Sequence, residues 1–158
     1  MISILLATYN WPQALKLCLE SLATQTDRQF EIIIADDGST ESTKQIIEAF
    51  RSSHELPITH LWQADEGFRK TKILNQAIAA AHGSYLIFLD GDCIVQPDFV
   101  ANHRALAQKD YLVTGSRVLL NEQLTQELLT WSHWDFVRFS SSLLAKRLSG
   151  EINKYWPL

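Results

Sequence analysis

Apolar residues fall into two kinds of run along this chain, and the two kinds alternate. Short continuous runs at 2–7, 30–35, 58–62 and 85–89 have strand length and are bounded by polar turn residues, which predicts buried strands. Between them apolar positions recur at helical spacing: Ala14, Leu15, Cys18, Leu19 and Leu22; then Ile46, Ile47 and Phe50; then Ile73, Leu74, Ala77, Ile78 and Ala81. The first set predicts a helix over 11–24, with Asn10 as its N-cap and Pro12 in its first turn. The second starts at a Ser39 or Thr40 cap with Glu41 in the first turn. The third is the clearest, with Gly83 placed to end it in the left-handed conformation. Pro97 and Asp98 open a further helix to about residue 107, and 111–118 reads as one more strand. From 124 to 148 the pattern predicts helix again, although its apolar residues spread too widely for one stripe.

This β-α-β-α order, with short polar connections, predicts an α/β fold: a mainly parallel sheet with helices on both faces. Parallel strands place their carboxyl ends on one edge, so the loops at 8–10, 36–40 and 90–93 should converge into a pocket. The third of these carries the chemistry. The run Tyr85-Leu86-Ile87-Phe88-Leu89 stops in Asp90-Gly91-Asp92, and a buried strand has no use for two acids. At a sheet rim their oxygens suit a hard divalent cation, Mg²⁺ or Mn²⁺, which could carry a diphosphate that carboxylates alone would repel. Arg69, Lys70 and Lys72 open the third helix and could add positive charge to those phosphates.

Composition narrows the field. The 158 residues are 46% hydrophobic and 20% charged, as expected for one globular domain with a sizeable core. A formal net charge of −4 and the lack of a basic run argue against a nucleic-acid polymer as partner. The six glycines, at 38, 67, 83, 91, 115 and 150, form neither G-x-G-x-x-G nor a P-loop, which disfavours a dinucleotide enzyme or an ATPase. The histidines show no metal-ligand spacing. Two cysteines without disulfide density, no signal peptide and no apolar span lead to the expectation of a soluble, cytoplasmic protein. The tail has a second reading. Trp131, Trp134 and Trp156 lie near Arg138, Lys146, Arg147 and Lys154, so its helix could rest peripherally on the inner face of a membrane or simply pack on protein.

Four ordered motifs carry a resemblance: Ala7-Thr8-Tyr9-Asn10, Ala35-Asp36-Asp37-Gly38-Ser39, Glu66-Gly67-Phe68-Arg69 through Asn75, and Leu89-Asp90-Gly91-Asp92. Together they resemble the nucleotide-sugar portion of a family 2 glycosyltransferase with the GT-A (Rossmann-like) fold. The Gly-Phe-Arg element is similar to bacterial polysaccharide and lipopolysaccharide enzymes of the chondroitin-polymerase type. The resemblance implies a UDP-sugar-binding core at 1–118 and a helical tail at 119–158 that begins an acceptor-binding portion. It implies that Thr8 and Asp37 contact uracil, with Asp36 or Asp37 near the ribose. Asp92 would ligate Mn²⁺ or Mg²⁺, Asp90 would contact ribose or the metal through water, and Gly91 would let the diphosphate approach. Leu74 stands where the family often has Arg, so Arg69 or Lys72 would supply the charge instead. The implied reaction is inverting transfer to a saccharide or lipid-linked acceptor. Its general base is not identified, since Glu122, Glu127, Asp135 and Glu151 do not sit in the expected acidic motif. The alternative is a nucleotide-sugar-binding module that is non-catalytic or depends on a partner.

Overall fold

The four apolar runs become β1 (Ile2–Thr8), β2 (Phe30–Asp36), β3 (Ile58–Trp62) and β4 (Tyr85–Asp90) in the computed structural model, which describes residues 1–131 and 133–154. All pair in parallel, in the order β3-β2-β1-β4. The central strands β1 and β2 are buried along their whole length, because α1 (Pro12–Ala23), α2 (Glu41–Ser53) and α3 (Lys70–Ala80) cover both faces. Side chains alternate across a strand, and two apolar layers result. Ile2, Ile4, Leu6, Ile32 and Ile34 share one with Leu15, Leu19, Leu22, Ile47 and Phe50, joined by Val100 of α4 (Phe99–Leu106). Leu5, Ile33 and Ala35 meet Ile73 and Ala77 of α3 in the other. Each such fully buried Ile or Leu contributes about 1.5–3 kcal/mol of transfer free energy, and this core holds the strand tips rigidly in register.

The α3 face also buries two polar residues, at the end of the sheet away from those tips. Ser3 Oγ donates to Glu31 Oε1 at 2.6 Å, the His82 N–H donates to the same oxygen at 2.7 Å, and His82 Nδ1 lies 3.0 Å from Oε2. Burial pushes the Glu31 carboxyl up, but the bonds from Ser3 and His82 outweigh it and hold the group below its ordinary value. A depressed carboxylate stabilises the fold above its unfolded pKa, and that contribution is lost as pH falls through the folded one. The expected result is that Glu31→Gln lowers stability at pH 7 but flattens its decline below about pH 4.5, as read by urea unfolding across pH. An acid limb as steep as the wild type's would show that other groups control it.

Several local expectations are corrected. Gly83 is not a left-handed helix stop: the positive-φ glycines among the described residues are Gly38, Gly67 and Gly150. A Cβ on Gly83 would lie 2.6 Å from Ser3 Oγ and 2.7 Å from Ser3 N, so close approach to β1 is what demands glycine there. Asn10 does not cap α1, whose N-cap is Trp11 without a side-chain bond. It adopts φ 45° and ties two loops together instead, accepting from Thr40 N at 2.9 Å while its own N–H donates to Ser39 Oγ at 2.9 Å. Thr40 is the N-cap of α2, one of the two expected residues, although its side chain accepts no N–H from the first turn.

The chain packs as two compact units, Met1–Ala105 and Leu106–Leu158. The strand expected at 111–118 does not form. Its apolar start at residues 111–113 is cut by Thr114-Gly115-Ser116-Arg117, and Tyr111 and Leu112 stay exposed. The single helix expected over 124–148 is instead three: α5 (Glu122–Leu129), α6 (Phe136–Ser140) and α7 (Leu143–Leu148). Asn121 caps the first by accepting from Leu124 N, and Asp135 restarts the chain as a cap for the second, accepting from Arg138 N. At the end of α6 and on to α7 the hydroxyls of Ser140, Ser141 and Ser142 donate back to carbonyls three residues earlier, which competes with helix propagation. Leu124, Leu128, Trp134 and Ile152 are buried in this unit, Trp131 stacks on Trp134, and the Arg138 guanidinium sits 4.2 Å from the Trp131 ring centroid. Trp156 lies outside the described residues. Among the described residues no helix is long and apolar enough to cross a membrane.

Candidate functional site

Backbone bonds lock the strand tips to one another beyond the last paired residues. The Asp37 N–H donates to Thr8 O at 3.1 Å and the Gly91 N–H to Ala7 O at 2.7 Å, so the second and fourth strands both end on the tip of the first. Glycine suits this contact, since a Cβ would stand a tight 3.0 Å from Ala7 O and 3.2 Å from the Thr8 side chain. The loop after β3 closes a third side: Tyr9 OH donates to Asp65 Oδ2 at 2.9 Å and the Arg69 N–H to Asp37 Oδ2 at 2.8 Å. Together these loops enclose a cavity of about 380 Å³, lined by Thr8, Tyr9, Trp11, Asp37, Phe68 and Lys70, among others, with Asp90, Gly91 and Asp92.

Thr8, Asp37, Asp90, Gly91 and Asp92 are thus brought together. Asp36, Arg69 and Lys72 do not line the cavity. Asp36 is only 1% exposed; its Oδ1 accepts from Ser39 N at 2.8 Å and its Oδ2 lies 3.0 Å from His60 Nε2. Consecutive residues at a strand end point to opposite sides, so the first aspartate braces the turn while the second faces the cavity. Arg69 is spent on its own loop, bonding Ala64 O at 2.8 Å and pairing with Glu66. Lys72 is exposed; two positions after Lys70, it is turned about 200° away around the helix. Lys70 is the lysine at the cavity, where its ammonium contacts Asp90 Oδ1.

The acidic tip has the donor set of a hard cation site. Oxygens of Asp90 and Asp92 and the Cys93 sulfur lie within 4.8 Å of one another. Carboxylate oxygens suit Mg²⁺ or Mn²⁺, whereas the thiol is soft, so the two aspartates fit such an ion and Cys93 adds little. Cys18, fully buried in α1, reports the field there. Burial pushes its thiol well above the ordinary value, and the nearby acids of Cys93, Asp92 and Asp90 push it further. A cation would relieve that negative potential.

Trp11 and Gln63 lie outside the four sequence motifs, and Tyr9 and Phe68 lie within two of them without an assigned role. For the aromatics the available signal was their place in loops just past strand ends. For Gln63 the sequence carries no local signal, because it meets Asp37 only through the register of β2 and β3.

Fold and site together define an α/β domain with a cavity at the carboxyl edge of a parallel sheet, where open α/β sheets bind ligands. The chain belongs to glycosyl transferase family 2, whose model matches residues 3–153. It is 34% identical over 110 residues to the chondroitin synthase of Escherichia coli, covering 69% of this chain and 16% of that protein. It is 26% identical over 182 residues to the glycosyltransferase GlyG of Streptococcus pneumoniae, covering 97% and 59%. The chain therefore spans less than two thirds of the length of either relative. Among solved structures it is similar to Staphylococcus aureus TarS 1-349 in complex with UDP-GlcNAc, at 30% identity and a TM-score of 0.57, covering 66% of this chain and 30% of that one. The mannosyltransferase PcManGT from Pyrobaculum calidifontis, in complex with GDP-Man and Mn²⁺, shares the GT-A fold at a TM-score of 0.64 and 22% identity, covering 80% and 37%.

Proposed function

We propose that this chain is the donor-binding portion of an inverting, metal-dependent glycosyltransferase that moves a sugar from a UDP-sugar to a saccharide or lipid-linked acceptor of the cell surface. The observation that carries this reading is the presence of Thr8 and Asp37 in the same cavity as Lys70 and the Asp90-Gly91-Asp92 tip. One polar pair is available for a base and one charged cluster for a diphosphate. The UDP-GlcNAc complex of the TarS relative and the name of the chondroitin synthase relative point the same way. Asp92 and Asp90 would hold Mn²⁺ or Mg²⁺, which when bound acts as a Lewis acid on the leaving diphosphate. Thr8 and Asp37 orient the base, Gly91 leaves room for the backbone to be approached, and Lys70 supplies a charge-assisted bond to phosphate.

Transfer also needs a base for the acceptor proton as the acceptor oxygen bonds to the anomeric carbon and the bond to diphosphate breaks. The cavity's acids leave none over: Asp37 accepts from two protein donors, and Asp90 and Asp92 form the metal end. Of the later acids, Asp135 caps α6 and Glu151 bonds Ser149 and Lys146. This favours, as a second reading, a nucleotide-sugar-binding module whose base comes from a partner. UDP release measured with and without saccharide acceptors separates the two: acceptor-dependent release supports the enzyme, and Mn²⁺-dependent UDP binding without turnover supports the module.

Lys70 adds a test with two signs. It neutralises Asp90 before a metal does, and such half-exposed pairs are worth about 0–1 kcal/mol. Lys70→Met should therefore raise Mn²⁺ affinity by up to about fivefold, yet weaken UDP binding in saturating Mn²⁺ by about tenfold through loss of a charged bond. Calorimetric titration reads both. Mn²⁺ and UDP affinities that fall together would place Lys70 in a structural role.

A further inference from the structure

Asp37 is held by a residue that no functional motif contains. In the parallel register of β2 and β3, Asp36 is paired with Trp62, and the next step along both strands sets Gln63 beside Asp37. The Gln63 N–H extends the ladder by donating to Asp36 O at 3.2 Å. Its side chain then turns to the site, with Nε2 donating to Asp37 Oδ1 at 2.5 Å and to Arg69 O at 3.2 Å. Both amide hydrogens are thus committed, one to the carboxylate and one to the loop that carries Phe68 and Lys70. The residue is 9% exposed, and its Oε1 is buried without a hydrogen-bond partner among the described residues. A buried carbonyl left unpaired is a cost that folded proteins normally avoid. The amide cannot relieve it by flipping, because that would set its oxygen against the Asp37 carboxylate.

We propose that Gln63 is a positioning residue for nucleobase recognition: it fixes the Asp37 carboxylate in the one orientation that leaves acceptor lone pairs facing the cavity. This rests on the reading of Asp37 as the base-contacting residue. With Gln63 Nε2 on one oxygen and the Arg69 N–H on the other at 2.8 Å, the carboxylate cannot rotate. Its remaining lone pairs accept from a ring N–H, as the imide of uracil presents, and repel a ring nitrogen that is itself an acceptor, as in cytosine. The buried, unpaired carbonyl is retained because the opposite end of the same amide must donate.

The test titrates UDP, CDP and inorganic pyrophosphate into the Mn²⁺-loaded full chain, comparing the wild type with Gln63→Leu and Gln63→Glu. The first variant removes the donor, and the second keeps the shape while replacing the donor by an acceptor. For both, the expected result is at least a tenfold loss of UDP affinity, a UDP-to-CDP preference falling toward one, and pyrophosphate affinity within twofold of wild type. Unchanged UDP affinity would overturn the proposal. So would parallel loss of UDP and pyrophosphate, which marks a loop that no longer folds rather than a carboxylate that has turned. If the wild type itself binds UDP no better than pyrophosphate, it is the nucleotide reading of the site that fails, and Gln63 is not the reason.

Discussion

Asp92→Asn should cost Mn²⁺-dependent UDP binding at least a hundredfold in affinity while leaving thermal stability unchanged. The side chain is exposed at the mouth of the cavity, where its carboxylate shares a small volume with that of Asp90. Nothing in the core depends on it. Two acids at a phosphate site make sense only with a cation between them and the ligand: opposite unit charges 4 Å apart attract by about 4 kcal/mol at the effective dielectric of a protein surface. Losing one carboxylate forfeits a large part of that attraction, and about 2.7 kcal/mol is already a hundredfold. Calorimetry with UDP in Mn²⁺ and then in chelator gives the comparison. Wild type should lose UDP affinity in chelator, whereas Asp92→Asn should be weak in both. A variant that binds UDP in Mn²⁺ as the wild type does would remove the metal from the reading of this tip.

The parts of this site that were legible in advance are those governed by strand physics. Strands covered on both faces must be largely apolar, as β1 and β2 are apart from the mutually bonded Ser3 and Glu31, so polar residues at their carboxyl ends mark the sheet edge. Asp90-Gly91-Asp92 stood out for that reason. What escaped was phase and pairing. Choosing Asp37 over Asp36 requires knowing which side of the strand end faces the cavity, and choosing Lys70 over Lys72 requires the rotation of α3 about its axis. A one-residue shift in either reverses the answer. Gln63 meets Asp37 only because β3 lies next to β2 in one particular register, which no local pattern encodes. In the tail the reason differs. Asp135 is an ordinary polar residue on a helical reading, and only its bond to the N–H three residues on turns it into a cap that restarts the chain inside the one expected helix.

Gly38 separates what that turn demands of the backbone from what it demands of space. Its φ is +98°, and a Cβ there would stand 2.7 Å from both Asp65 N and Asp65 Cα. Gly67, on the facing loop, has φ +85° with nothing within 4 Å of a Cβ. Left-handed backbone costs an L-residue about 1–2 kcal/mol, and forcing a methyl into occupied space adds about 1–3 kcal/mol. Backbone atoms are the ones struck at Gly38, so no side-chain rotation can absorb the clash. Gly67→Ala should therefore lose about 1–2 kcal/mol, and Gly38→Ala about 2–5 kcal/mol, a fall in Tm of roughly 4–20 °C for a chain of this size. The second variant should also lose UDP affinity, because the displaced Asp65 loop carries the partner of Tyr9 and leads into the Arg69 N–H that holds Asp37. Urea unfolding and UDP titration of the two variants side by side decide the matter. Equal stability losses would mean that the close approach of Gly38 to Asp65 contributes nothing, and that the two loops do not brace each other across the cavity.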